Sequence, residues 1–253
     1  MAEIGTRFST EGLVIKEMNV GESDRLVTLF TRDYGILKAF ASGAKSIKSK
    51  KGAATSLLTY SNFTIQRKKE TLRITEASPI ALFFGVGSDI ETLSLSQYFC
   101  ELAYRFGTTG TPNIEMLRLI LNSLHFLTKE KRYSRLIKAI TELRIAVLSG
   151  YSPNLVACKS CGKFEDDVMY FNVKDGSLCC SECEREDGTV AITLSQLSAM
   201  RHIVYSQFQK LYSFEISDTN ADRLSDITSR YITLQSDQSF DTLNFYNSIK
   251  EQK

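Results

Sequence analysis

The chain has only two histidines, His125 and His202, and neither stands at a telling distance from a carboxylate or a cysteine. An imidazole-based acid–base pair or metal site is therefore not indicated. No G-x-x-x-x-G-K-[ST] and no G-x-S-x-G occurs, so the two commonest phosphate-loop and serine-hydrolase signatures are absent. GVGSD at 85–89 is like a phosphate loop only superficially, because no parallel-sheet strand precedes it. The acidic pairs Asp166-Asp167 and Glu186-Asp187 are adjacent along exposed loops rather than converging from separate elements, as a magnesium-dependent nuclease would need. No apolar run approaches the roughly 18 residues of a membrane span. The first ten residues, MAEIGTRFST, lack the apolar core of a signal peptide, and a cytoplasmic protein with no membrane contact is expected.

What remains is an ordinary globular composition, 43% hydrophobic and 24% charged, long enough at 253 residues for one to three domains. The net charge of +2 is unevenly spread. Residues 1–80 carry 13 Lys/Arg against 8 Asp/Glu, a net of +5, and residues 81–253 carry 18 against 21, a net of −3. Only the N-terminal third is suited by charge to a polyanion.

That third reads as five short strands: EGLVIKEM, DRLVTLFTR, YGILKAFAS, LLTYSNFTIQ and TLRITEA. Five strands with one long link predict a small barrel, an OB-fold first and an SH3-like barrel second. From residue 88 the period becomes helical. Ser88-x-x-Glu91 predicts a capping box and Thr111-Pro112 a helix start. Stripes follow at Leu95/Phe99/Leu102/Phe106, Ile114/Leu117/Leu121/Leu124 and Leu136/Ile140/Leu143/Val147. After the cysteine segment come Leu197/Val204/Phe208/Leu211, opened by Thr193-x-x-Gln196, and a last helix with Leu224/Ile227/Tyr231/Leu234. The expected architecture is α+β and multidomain: an OB-fold β-barrel over 1–80, then an α-helical bundle domain over 81–253 carrying an inserted module at about 152–190.

That module is set by CKSC at 158–161 and CSEC at 180–183, two C-x2-C turns with 18 residues between. The spacing predicts a structural zinc site of Cys158, Cys161, Cys180 and Cys183, closed to substrate because four thiolates fill a tetrahedral shell. Cys179 offers a C-x3-C alternative to Cys180. Cys100, inside a helical stripe, is expected to be a buried thiol. Residues 163–187 hold 8 acids and 3 bases, which suits protein contact better than phosphate contact.

Basic residues gather in three places. Lys45, Lys48, Lys50 and Lys51 lie in the long barrel link, and Arg67, Lys68, Lys69 and Arg73 at the last hairpin. With Tyr34, Phe40, Tyr60 and Phe63 interleaved, these are the parts of a single-strand groove. Residues 129–144, KEKRYSRLIKAITELR, are read as one helix in which Lys131, Arg135 and Lys138 form a basic ridge; a solvated outer face is the commoner meaning of such a run.

Beyond these readings, the chain resembles the RecO family of bacterial recombination mediators. The resemblance is carried by Gly21-Glu22-Ser23-Asp24-Arg25, by a T-x-x-x-G-x-L element from Thr31 to Leu37, by G-A-(K/R)-x-x-K-S from Gly43 to Ser49, and by YSPNLVACKSCGK with its second cysteine pair. It implies a non-enzymatic, cytoplasmic, nucleoid-associated bacterial protein with an OB domain and a zinc-bearing helical domain. Such a protein would bind single- and double-stranded DNA, anneal complementary strands, contact the acidic C-terminal tail of single-strand DNA-binding protein and, with RecR, help load RecA. Lys45 and Lys48 fall in the matched motif and Lys50 and Lys51 directly follow it, all four being implied DNA contacts; Arg25, Lys38 and the hairpin cluster complete the expected set. Lys131, Arg132, Arg135 and Lys138 are assigned to the acidic tail on charge alone. A zinc-ribbon scaffold in transcription or translation is the competing reading.

Overall fold

The computed structural model describes residues 6–46, 49, 51–84 and 89–250. Two compact units are present, one of residues 1–131 with 241–253 and one of residues 132–240.

The first unit begins with alternating apolar residues that bury one face of each strand. Strands β1 (Arg7–Val20), β2 (Asp24–Thr31), β3 (Gly35–Ala41), β4 (Thr59–Lys68) and β5 (Thr71–Leu82) close a barrel in the order β1-β2-β3-β5-β4. β1 is longer than the sequence indicated. Its first half pairs with β4 and its second half with β2, the register shifting between Val14 and Lys16, so one bent strand serves both sides of the barrel. Parallel pairing of Phe40 with Arg73 joins β3 to β5. This strand order, with the long link between β3 and β4, is that of an OB-fold and not of an SH3-like barrel. Val14, Val27, Leu29, Leu37, Ala39, Phe63, Ile65 and Ile74 fill the interior, and Ala44 of the link packs among them.

The Thr31-to-Leu37 element has a clear physical basis. Thr31 Oγ1 donates to Gly35 O at 2.7 Å and accepts from Tyr34 N, shaping the β2–β3 turn. Gly35 has φ +63° and lies so close to the loop after the first helix that a Cβ would sit 2.1 Å from Thr108 O. No side chain fits there.

Helices α1 (Ile90–Phe106) and α2 (Ile114–Thr128) complete this unit together with α6 (Asp241–Lys250), which packs along α1. Ser88 lies outside the described residues; Asp89 caps α1 through Thr92 N. α2 starts two residues later than Thr111-Pro112 indicated, because Asn113 supplies the side-chain oxygen that accepts from Met116 N. α6 was not foreseen.

In the second unit, α3 (Ser134–Leu148), α4 (Leu194–Tyr205) and α5 (Asp218–Ser236) form the helical core, and Thr193 and Gln196 make the expected capping box. Residues 129–144 are not one helix: α2 ends at Thr128, Lys131 has φ +52°, and α3 begins at Ser134. Between α3 and α4 stands a three-stranded sheet ordered β7-β6-β8, from β6 (Met169–Asn172), β7 (Leu178–Cys179) and β8 (Thr189–Ile192).

Candidate metal centre and nucleic-acid face

Each cysteine pair sits on a tight turn. Cys158 N donates to Lys163 O and Gly162 N to Cys158 O, folding 158–163 back on itself, while β7 carries the chain into the second pair. The Sγ atoms of Cys158, Cys161, Cys180 and Cys183 all lie within 4.8 Å of one another, and those of Cys161 and Cys180 are 3.6 Å apart. A tetrahedral shell with metal–sulfur bonds of about 2.3 Å has sulfur–sulfur edges of about 3.8 Å, so the donor set is close enough to hold a metal ion. Cys179 is outside this set of four: its buried thiol neighbours Cys158 and lies 3.5 Å from Glu184 O.

The four thiols cannot all ionise side by side without a cation. Burial opposes the Cys158 thiolate, but the amide N–H groups of Cys161, Cys180 and Ser160 outweigh that and bring the thiol down to about 6. The Cys183 thiol, hydrogen-bonded to Cys161 and Cys180, is pushed up. Cys100, on α1, is pushed up to about 12 by burial alone, as expected of an inert thiol.

Charges around the centre are largely paired. Lys159 bridges Asp175 and Glu186, and Lys163 bridges Asp166 and Glu182. Asp166 accepts from the Ser181 hydroxyl and amide, which hold its carboxyl down at about 2. Arg201 of α4 anchors the module's entry by donating to Leu155 O, Val156 O and Phe164 O and pairing with Glu165. Little positive charge here is left for a polyanion.

On the barrel, cross-strand register builds a different surface. Lys16, Thr28 and Lys38 stand in one row across β1, β2 and β3; Met18, Leu26, Phe40 and Arg73 stand in the next, running on to β5. Lys16, Lys38 and Arg73 are exposed, Met18 is 53% exposed, and Leu26 and Phe40 are half-buried. Tyr104 of α1 joins Lys16, Met18, Leu26, Thr28 and Lys38 around a shallow pocket. An apolar floor with an aromatic ring and cationic edges can take unpaired bases by stacking and the backbone by charge. Arg67, Lys68 and Lys69 are exposed at the β4–β5 turn. Lys45 is exposed, and Lys51 is half-buried with Nζ 3.4 Å from Ile74 O; Lys48 and Lys50 lie outside the described residues. Arg25 is turned inward to Gly52 O and Ser56 Oγ. Of the four rings singled out in the sequence, Phe63 is buried, Tyr34 packs on Phe8 and Tyr60 donates to Glu11. Only Phe40 belongs to this face. Lys16, Met18, Leu26 and Tyr104 were missed, although alternation along β1 and β2 was the signal that could have found the first three.

The basic ridge of 131–138 is not formed. Lys138 is 2% exposed, its Nζ bound to Glu142, Ser225 and Ser229 between α3 and α5. Arg135 pairs with Asp222 and Asp226, and Arg132 donates to Tyr212 O. Helical spacing put Arg135 and Lys138 on one face, but that face is covered by α5. His125 lies beside Glu130, and His202, in the last turn of α4, bonds Lys210 O.

Known proteins compare with this chain along nearly its whole length. Residues 3–83 match the family described as Recombination protein O N terminal, and residues 87–243 that described as Recombination protein O C terminal. DNA repair protein RecO of Acetivibrio thermocellus is 32% identical over 243 residues, covering 96% of this chain and 97% of that one. The proteins of the same name from Caldicellulosiruptor saccharolyticus and Alkaliphilus metalliredigens are 29% and 25% identical, each covering 96% of this chain and 99% of its relative.

Proposed function

Because the chain belongs to the RecO family, we propose that it is a DNA repair and recombination mediator that binds single- and double-stranded DNA and anneals complementary strands. The reading rests most on the barrel face of Met18, Leu26 and Phe40 edged by Lys16, Lys38 and Arg73. Its mechanism is non-covalent. Cations replace counterions on two strands and hold them together while bases pair. Residues 1–80 are the nucleic-acid domain in this reading. Residues 81–253 are the helical domain, with the module at about 152–190 folded around a structural zinc ion held by Cys158, Cys161, Cys180 and Cys183. In the cytoplasm it would work with RecR and with the acidic tail of single-strand DNA-binding protein to load RecA. For that tail, Lys131 and Arg132 are the exposed members of the original set.

The test changes Lys45, Lys48, Lys50 and Lys51 together to alanine. If about four lysines contact phosphates, the wild type should lose affinity for DNA with a slope of about −3 to −4 in log K against log salt. The variant should have a much shallower slope and anneal complementary oligonucleotides at least tenfold more slowly. Equal annealing by both proteins would favour the competing zinc-ribbon scaffold, which the ion-paired, acidic surroundings of the metal centre also fit.

A further inference from the structure

The Gly21-to-Arg25 turn holds both ends of the lysine-bearing link. Gly43 N donates to Asp24 Oδ1 at 2.8 Å, and Ser23 Oγ reaches the same oxygen at 3.0 Å. The Gly43 amide, foremost among these donors, holds the Asp24 carboxyl below the usual carboxylate range. One residue earlier, Ser23 O accepts from Lys45 N at 3.0 Å. Those contacts fix the start of the link. Its end is fixed by the next side chain: Arg25 Nη1 donates to Gly52 O at 3.2 Å and to Ser56 Oγ at 3.0 Å. Glu17 pairs with Arg25 at 3.4 Å and accepts from Leu57 N at 3.0 Å, so β1 supports the same end. The link itself is fitted to this hold. Gly43 takes φ +68°, and Ala44, only 2% exposed, enters the barrel core.

We propose that Asp24 and Arg25 are positioning residues for DNA binding: they clamp the two ends of the β3–β4 link and so present Lys45 and Lys51, and Arg25 is not itself a phosphate contact. This rests on the reading of the link as a phosphate-contacting segment. The physical gain is preorganisation, since a link already held at both ends loses less freedom when it meets a ligand. Arg25 presents little surface to a phosphate, its side chain being 19% exposed, its Nε buried and its Nη1 shared among three oxygens.

Charge and clamp predict opposite signs for one substitution. Asp24→Ala raises the net charge from +2 to +3, which by electrostatics alone tightens DNA binding. The clamp requires the reverse. With a fluorescein-labelled thymidine oligonucleotide and anisotropy at several salt concentrations, Asp24→Ala is expected to bind three- to tenfold more weakly. Asp24→Asn, which keeps an acceptor for Gly43 N without the charge, should bind close to wild type. Lys45→Ala should weaken binding in the wild-type background and cost clearly less in the Asp24→Ala background. Hydrogen exchange at Gly43 and Lys45 should quicken in Asp24→Ala while β4 stays protected, which separates loss of the clamp from loss of the fold. Binding by Asp24→Ala equal to or tighter than wild type, with Lys45→Ala still damaging, overturns the clamp alone. Wild-type binding by both Lys45→Ala and the quadruple lysine variant overturns the reading of the link, and the clamp with it.

Discussion

Cys180→Ser is expected to abolish binding of one zinc ion per chain, whereas Cys179→Ser keeps it. The two cysteines are neighbours in sequence and both buried, yet only Cys180 places its sulfur within 4.8 Å of the other three donors. Metal analysis of the purified variants reads the difference directly. The effect on folding should be large, because structural zinc contributes about 10–16 kcal/mol of apparent binding free energy to small modules of this kind. The sheet β7-β6-β8 has four residues at most in any strand, with Met169, Phe171, Leu178, Cys179 and Ile192 as its buried apolar side chains. So small a core does not fold a segment unaided. Treatment with a strong chelator should accordingly open the chain to trypsin at Lys159, Lys163, Lys174 and Arg185, while the barrel strands stay resistant. Loss of zinc from Cys179→Ser, or an unchanged digestion pattern after chelation, would refute this assignment.

Lys138→Met is expected to destabilise the helical unit by about 3–5 kcal/mol, the usual result of removing one partner from a buried ion pair. Glu142 is fully buried. Its carboxylate accepts from Thr228 Oγ1 at 2.6 Å and Ser229 Oγ at 3.0 Å, but Lys138 is its buried cation. Chemical denaturation followed by circular dichroism measures the loss. Changing Lys138 to Met and Glu142 to Leu together should recover much of it, since an apolar pair leaves no uncompensated charge. Binding of an acidic peptide per folded molecule should not change. If Lys138→Met instead kept its stability and lost peptide affinity, the side chain would be a surface contact after all.

These two cases mark what could be read in the chain before its fold was known. The barrel was legible because alternation along short strands states which side chains turn inward, and a closed sheet needs little else. The cysteine pairs were legible because sulfur donors need only spacing to converge. Lys138 was misread for a reason of physics. Helical periodicity says which residues share a face, and it is silent on whether another helix lies against that face. The inward bonds of Arg25 were not legible either, because its partners at Gly52 and Ser56 are far along the chain. α6 went unnoticed because its one short turn of apolar residues, Leu243 and Tyr246 among them, acquires meaning only against α1.

The pairing of α1 with α6 also fixes an order of manufacture. Glu101 of α1 accepts from the amide and hydroxyl of Thr242, so the helix beside the barrel is finished by a segment made long after it. A ribosome releases the barrel strands and α1 early, and then the whole of 132–240, before α6 can dock. The unit that holds the barrel is thus completed only after the whole of 132–240 has been made. A chain broken off before residue 241 would uncover the side of α1 that α6 occupies, a flaw that quality control can sense as exposed apolar surface.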